Sequence, residues 1–148
     1  MLDSSETLSI FAAPPRRVSK AGTTRHYSNG GCYVKYLFLL YEDEKSLPAP
    51  GTPELDQQIQ AYGAFYEDAA ARGLFQSGDP VQSSDQATTV RVRSGSRATT
   101  SGPFQSGAEQ IIGFYVLECK DSEEAVSTAA AIPAAQHGAV EVRPILSM

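Results

Sequence analysis

Thiols, histidines and long apolar runs are all scarce in this chain, and each scarcity excludes a class of function. Cys32 and Cys119 are its only cysteines, too few for a disulfide framework or a four-thiolate zinc site. His137 is the only histidine after His26, with no Cys or His at ligand spacing, so no metal site is expected. The longest apolar run, Tyr36 to Tyr41, is far shorter than the roughly 20 residues of a membrane-spanning helix. No serine-nucleophile motif occurs, and no glycine-rich stretch precedes a helix to cradle a phosphate. Positive charge is short as well. Twelve Lys and Arg against seventeen Asp and Glu leave a formal charge of -5, whereas affinity for a nucleic-acid backbone comes from clustered cations. What remains is a chain of 148 residues, 41% hydrophobic and 20% charged, the balance of one globular domain with an appendage. A soluble protein without cofactor, nucleic-acid partner or membrane partner is expected.

The appendage is N-terminal. Residues 1–33 carry four basic residues (Arg16, Arg17, Lys20, Arg25) and two acidic ones, and the remainder carries eight basic and fifteen acidic. The first stretch has no helical or alternating period, and Pro14-Pro15 breaks any helix there, so a poorly ordered extension is expected. Three origins compete for it. Arg25-His26-Tyr27-Ser28 resembles a mitochondrial processing site, against which Asp3 and Glu6 count. Val34 is a residue that an alternative start codon would encode, which makes an upstream mis-called start the second. A flexible arm is the third. Leu8 to Ala13 is too short and precedes its charges, so a secretory signal is rejected and a cytoplasmic location expected.

From Val34 onward the pattern becomes regular. Val34 to Tyr41 reads as a strand apolar on both faces, closed by Glu42-Asp43-Glu44. Thr52 and Pro53 open a helix whose stripe is Leu55, Ile59, Tyr62, Phe65, Tyr66 and Ala69, ended by Gly73. Leu74-Phe75 and a polar loop from Gly78 to Asp85 lead to a hairpin, in which Thr88 to Arg93 turns at Ser94-Gly95-Ser96 and returns over Arg97 to Thr100. Gln110 to Cys119 is a second strand apolar on both sides, with Ile111, Tyr115 and Leu117 opposed to Ile112, Phe114 and Val116. Asp121 and Glu124 cap a helix facing inward through Ala125, Val126, Ala129 and Ile132 until Pro133. Ala139 to Ile145 is the last strand, in which Val140 and Val142 alternate with Glu141 and Arg143.

This order is a split βαβ pattern, predicting an α+β domain with both helices on one face of a mainly antiparallel sheet. The other face is then bare, although two strands are apolar on both sides. A second copy of the chain, sheet against sheet across a two-fold axis, is the simplest cover, and a homodimer is expected. The N-terminal extension folding over that face is the alternative, for which its composition offers few apolar anchors.

Several segments carry a resemblance: VKYLFLLYEDE, AYGAFYEDAAARG, ATTVRVR, SGPFQSGAEQIIGFYVLE and PAAQHGAVEVRPI. Their order and spacing resemble the YCII-related proteins of the DGPF type across nearly all of residues 34–145. The resemblance implies a ferredoxin-like βαββαβ fold with an extra hairpin, assembled as a dimeric α+β barrel, and a domain beginning at Val34. Relatives are of mostly unknown role, some acting in aromatic degradation and some labelled transcription-related. The sequence departs from the family motif at Ser101, usually aspartate, and at Ala108, usually lysine, so the roles of those two charges are not carried over; Glu109 is retained. The His and Asp pair proposed for the smaller YCII branch is missing, since no histidine lies between His26 and His137.

The residues themselves offer few sites. His137, in the loop before the last strand, can act as general acid or base near neutrality, or its ring can satisfy a backbone carbonyl. Glu109 can serve as a base if desolvated, or sit solvated at a strand entry. Arg143 and Arg91 are candidates for an anion clamp, or for cross-strand ion pairs. Tyr41 and Tyr115, with the other tyrosines, can line a pocket for a flat small molecule or pack a core. Gly102-Pro103-Phe104 fixes a tight turn that lays Phe104 on the hairpin or on a partner, and Cys119 is expected to be a buried, inert thiol. Two functions follow. The first is a homodimeric small-molecule binder, extending to cofactorless proton transfer in a cleft between sheet and helices, with His137 as base, Glu109 as second carboxylate and Arg143 as clamp. The second is a noncatalytic interaction or regulatory module that uses the hairpin Thr88 to Thr100.

Overall fold

The structure, a computed structural model, describes residues 31–147. The reading of the N-terminal extension lies outside these residues, apart from residues 31–33, which are exposed and without regular structure. Strand β1 (Val34–Asp43) alternates as its sequence requires: Tyr36, Phe38, Leu40 and Glu42 are buried, while Leu37, Leu39 and Tyr41 on the opposite face are half-buried. Helix α1 (Pro53–Ala71) starts where Thr52 Oγ1 accepts the Leu55 amide at 3.3 Å, with proline at its first position, and buries Leu55, Tyr62, Phe65 and Ala69.

The segment after α1 corrects the expectation of a polar loop. Phe75–Pro80 is a strand, β2, paired antiparallel with β5 (Glu109–Cys119). Its polarity misled because it is an edge strand. Phe75 is its apolar anchor, main-chain pairing to β5 holds the rest, and Gln76, Ser77 and Asp79 are exposed.

Between β2 and β5 the chain forms the expected hairpin, β3 (Thr88–Arg93) and β4 (Ser96–Ser101), as a separate two-stranded sheet. Ser94 and Gly95 take positive φ values of 49° and 78°, the two-residue turn whose twist suits a tight hairpin.

Helix α2 (Ser122–Ala130) is capped as read, with Asp121 accepting the Glu124 amide at 2.8 Å and Glu124 accepting the Lys120 amide at 2.8 Å. Its inward face differs in one position. Val126 is 62% exposed and Thr128 is buried, because Ala125, Thr128, Ala129 and Ile132 share the three- and four-residue steps and Val126 falls a quarter-turn away. After Pro133 a short helix, α3 (Ala134–His137), replaces the expected loop and leads into β6 (Ala139–Pro144).

The four strands of the main sheet run in the order β2-β5-β1-β6, every neighbouring pair antiparallel. Side chains from one face of this sheet share a single core with those of α1 and α2, centred on Phe38, Leu40, Leu117 and Ile132. This is the ferredoxin-like α+β arrangement. A bulge refines the reading of β5: the register passes from Leu40 opposite Gly113 to Tyr41 opposite Ile111, so Ile112 is the extra residue. Ile112 turns into the core and Ile111 is left exposed, which reverses their expected partition. On the uncovered face Leu37 lies opposite Val116 and Leu39 opposite Phe114, all four half-buried. Among the described residues, no helix is long and apolar enough to cross a membrane.

Candidate functional site

The alternation of β1 carries a carboxylate into the core. Tyr36, Phe38 and Leu40 face the helices, and two residues further on the same face stands Glu42, 5% exposed and the one charged side chain buried among the described residues. Helix α1 supplies its partners. The Tyr62 hydroxyl donates to Glu42 Oε1 at 3.1 Å, and the Gln58 side chain, one turn earlier, also hydrogen-bonds the carboxylate. The close approach of a third element completes the site. Gly138 follows α3 where any β-carbon would collide with the Tyr41 carbonyl oxygen and lie 3.0 Å from the Glu42 α-carbon. Lacking one, the α3–β6 junction sits directly on the end of β1 and holds His137 at the rim beside Glu42.

These elements surround an open cavity of about 560 Å³, lined by Glu42, Asp43, Glu54, Gln58 and His137 together with Ala61 and Pro133. Its charges are carboxylates and, when protonated, one imidazole; no Lys or Arg lines it. Burial raises the Glu42 pKa above the ordinary carboxylate value, because a charge withdrawn from water loses its hydration. The Tyr62 hydrogen bond, the His137 charge and the Gln58 hydrogen bond each pull it part of the way back. Burial, and then the Glu42 charge, raise the Tyr62 pKa as well, so its hydroxyl keeps its proton and acts as donor. Gln58 Oε1 is shut from solvent without a hydrogen-bond donor. Chemically, the arrangement is a desolvated carboxyl able to take or release a proton, held by a phenol and an amide, with an imidazole at the cavity mouth.

The residues singled out from sequence are dispersed. His137 lines this cavity from the end of α3. Glu109 does not: it is exposed at the start of β5, opposite Asp43 in the ladder. Arg143 is exposed on β6, where its Nε donates to Glu141 Oε1 on the uncovered sheet face. Tyr41 shares that face, donating to Glu141 Oε2 at 3.3 Å, and burial followed by the Glu141 charge raises its pKa. Tyr115 lies in the core, with ring centroids 5.4 Å from Phe65 and 6.0 Å from Phe75, and burial raises its pKa. Arg91 stacks over the Phe104 ring at 4.9 Å and is in none of the ion pairs among the described residues, so Phe104 does lie on the hairpin. Burial pushes the Cys119 thiol up to about 11, the behaviour of an inert core cysteine. Among the described residues no group of three or more His, Cys, Asp or Glu is placed to hold a metal ion. Sequence reading assigned Glu42 to an acidic run closing β1 and so missed it. The signal was present in the two-residue period, which puts Glu42 in register with Tyr36, Phe38 and Leu40.

A protein of Rhizobium meliloti (strain 1021) described as uncharacterized is 28% identical over 112 residues, covering 74% of this chain and 90% of the relative. The model of the YCII-related domain matches residues 34–148, and the chain belongs to the YCII-related family.

Proposed function

We propose that the protein binds a small molecule in the cavity at the end of β1 and exchanges a proton with it through Glu42, without a cofactor. The observation that carries this reading is the burial of Glu42 at the cavity wall, with its carboxyl drawn toward the protonated form. A buried charge is costly unless it is paired, and Glu42 is held by two uncharged groups, Tyr62 and Gln58, with His137 as its one cationic neighbour. His137 is the second proton-transfer group. The acidic lining favours a neutral or amine-bearing ligand over an anion. Glu109 and Arg143, standing outside the cavity, have no part in this chemistry.

The working unit of the proposal is a homodimer joined across the uncovered sheet face. Leu37, Leu39, Phe114 and Val116 form cross-strand apolar pairs there, and each such side chain contributes up to about 1.5–3 kcal/mol when fully removed from water. The Ser101-Gly102-Pro103-Phe104 turn supports placement in the DGPF branch of the family. A second reading, the noncatalytic interaction module, is favoured by one observation: the hairpin β3–β4 is exposed almost throughout.

The test is thermal-shift measurement on the full chain against panels of small neutral, amine-bearing and carboxylate metabolites. A ligand at a hundred times its dissociation constant stabilises the folded state by about 2.7 kcal/mol. Neutral or amine ligands are expected to raise Tm, with the shift lost in Glu42→Gln and reduced in His137→Ala. Stabilisation by carboxylates alone, or shifts retained in both variants, would refute the assignment.

A further inference from the structure

The hairpin is the part of the domain that its own fold leaves without a partner. All of β4 and every residue of β3 except Thr89 are exposed. Gly102 closes its base by donating its amide to the Ala87 carbonyl at 2.8 Å, and just before it Ser84 ties the chain to the body by donating its amide to Glu44 at 2.6 Å. A two-stranded ribbon alone in water is marginal at best. This one also carries apolar side chains into solvent, with Val90 at 55% and Val92 at 57% exposure on one face and Phe104 at 63% beside Arg91. Covering it would take this apolar surface out of water.

Charge identifies what suits it as a cover. From Gln86 to Ala108 the sequence holds Arg91, Arg93 and Arg97 and no Asp or Glu, whereas the rest of the described residues hold five cations and fifteen carboxylates. None of the three arginines joins an ion pair; the ion pairs among the described residues belong to Arg72 and Arg143. A cationic arm on an acidic body has a natural complement in another acidic body. A polyanion such as nucleic acid would meet the arm and be repelled by everything behind it. A second copy of this chain offers an acidic surface to the arm and receives the reciprocal arm in return, the self-complementary contact that two-fold symmetry produces.

We propose that the β3–β4 hairpin is a dimer arm that lies on the body of a second copy of the chain, with the face that bears Val90, Val92 and Arg97 as its contact and with Arg91 and Arg93, on the opposite face, adding to its positive field. It rests on the homodimer reading and adds to it a second, electrostatic contact outside the sheet face. Such a contact is screened by salt, since the Debye length falls from about 10 Å at 0.1 M to about 3 Å at 1 M.

Sedimentation velocity and hydrogen exchange on the full chain test it, comparing wild type with the triple variant Arg91→Glu, Arg93→Glu, Arg97→Glu. These residues are exposed and outside the core, so the variant keeps the circular dichroism and melting behaviour of a folded domain. Wild type is expected to dimerise, with slow amide exchange over residues 88–101 that becomes fast on dilution. Charge reversal is expected to weaken dimerisation at least tenfold at low salt, and high salt to narrow that gap. A wild-type dimer with an unchanged dissociation constant in the variant, and rapid exchange over 88–101 at all concentrations, overturns the arm while leaving the sheet-face dimer standing. A wild type that remains monomeric removes both. Slow exchange over 88–101 that appears only on adding nucleic acid also overturns the arm.

Discussion

Replacing Glu42 with glutamine keeps the side chain's shape and its hydrogen-bonding reach to Tyr62 while removing the one charge buried among the described residues. The consequence is a change in how stability depends on pH. In the unfolded chain Glu42 titrates near the ordinary value of 4.5, and in the folded protein burial raises it. Between those two values the folded state binds more protons than the unfolded one, so wild-type stability falls as pH rises through the window and levels off above it. Below the unfolded value both states are protonated and the group is neutral in the balance. Each unit of separation costs the wild type about 1.4 kcal/mol at the plateau, and the glutamine variant is spared that loss. The measurement is urea unfolding of both proteins at intervals from pH 4 to pH 8. The difference in unfolding free energy, variant minus wild type, is expected to grow as pH rises from 4 and to level off once pH passes the raised folded-state value. A difference independent of pH would mean that Glu42 is as well solvated folded as unfolded. A difference that shrinks with rising pH would mean that its ionised form is the stabilised one. Either result refutes the proton-transfer role built on its burial.

Two further substitutions probe the frame around the site. Gly138→Ala forces the α3–β6 junction away from the Tyr41 carbonyl, and a loss of about 1–3 kcal/mol is expected by urea unfolding, together with loss of any ligand-induced thermal shift because His137 moves with the junction. An unchanged stability would show that the close approach does not hold in solution. Ile132→Ala is expected to cost about 2–5 kcal/mol, since Ile132 is fully buried, while Val126→Ala, at 62% exposure on the outer face of α2, is expected to change stability by less than about 0.5 kcal/mol. Comparable losses at both positions would contradict the inward face described for that helix.

The fold was legible because its signals are local. Thr52 and Pro53 announce α1, Asp121 and Glu124 announce α2, and Ser94-Gly95 closes the hairpin, each through contacts within a few residues. Strand β2 was hidden because an edge strand needs one apolar anchor and takes the rest of its stability from main-chain bonds, which leave no trace in side-chain polarity. The inward placement of Ile112 was hidden for a related reason: a single extra residue reverses the faces of a strand, and only the pairing with β1 reveals it. The site required both kinds of information at once. Register alone puts Glu42 on the core face of β1, but a glutamate at the last turn of an alternating strand is equally compatible with a frayed, solvated end. What excludes that end here is a meeting of distant segments. Tyr62, twenty residues away, donates to the carboxylate, and the missing side chain of Gly138 lets α3 close over it. A histidine chosen for its chemistry and a glutamate dismissed as a strand terminator become neighbours only through that closure. The glycine between His137 and β6 therefore carries as much of the site's definition as either titratable group, and a search for sites in such sequences gains from asking where a backbone must approach another before asking which residues can exchange protons.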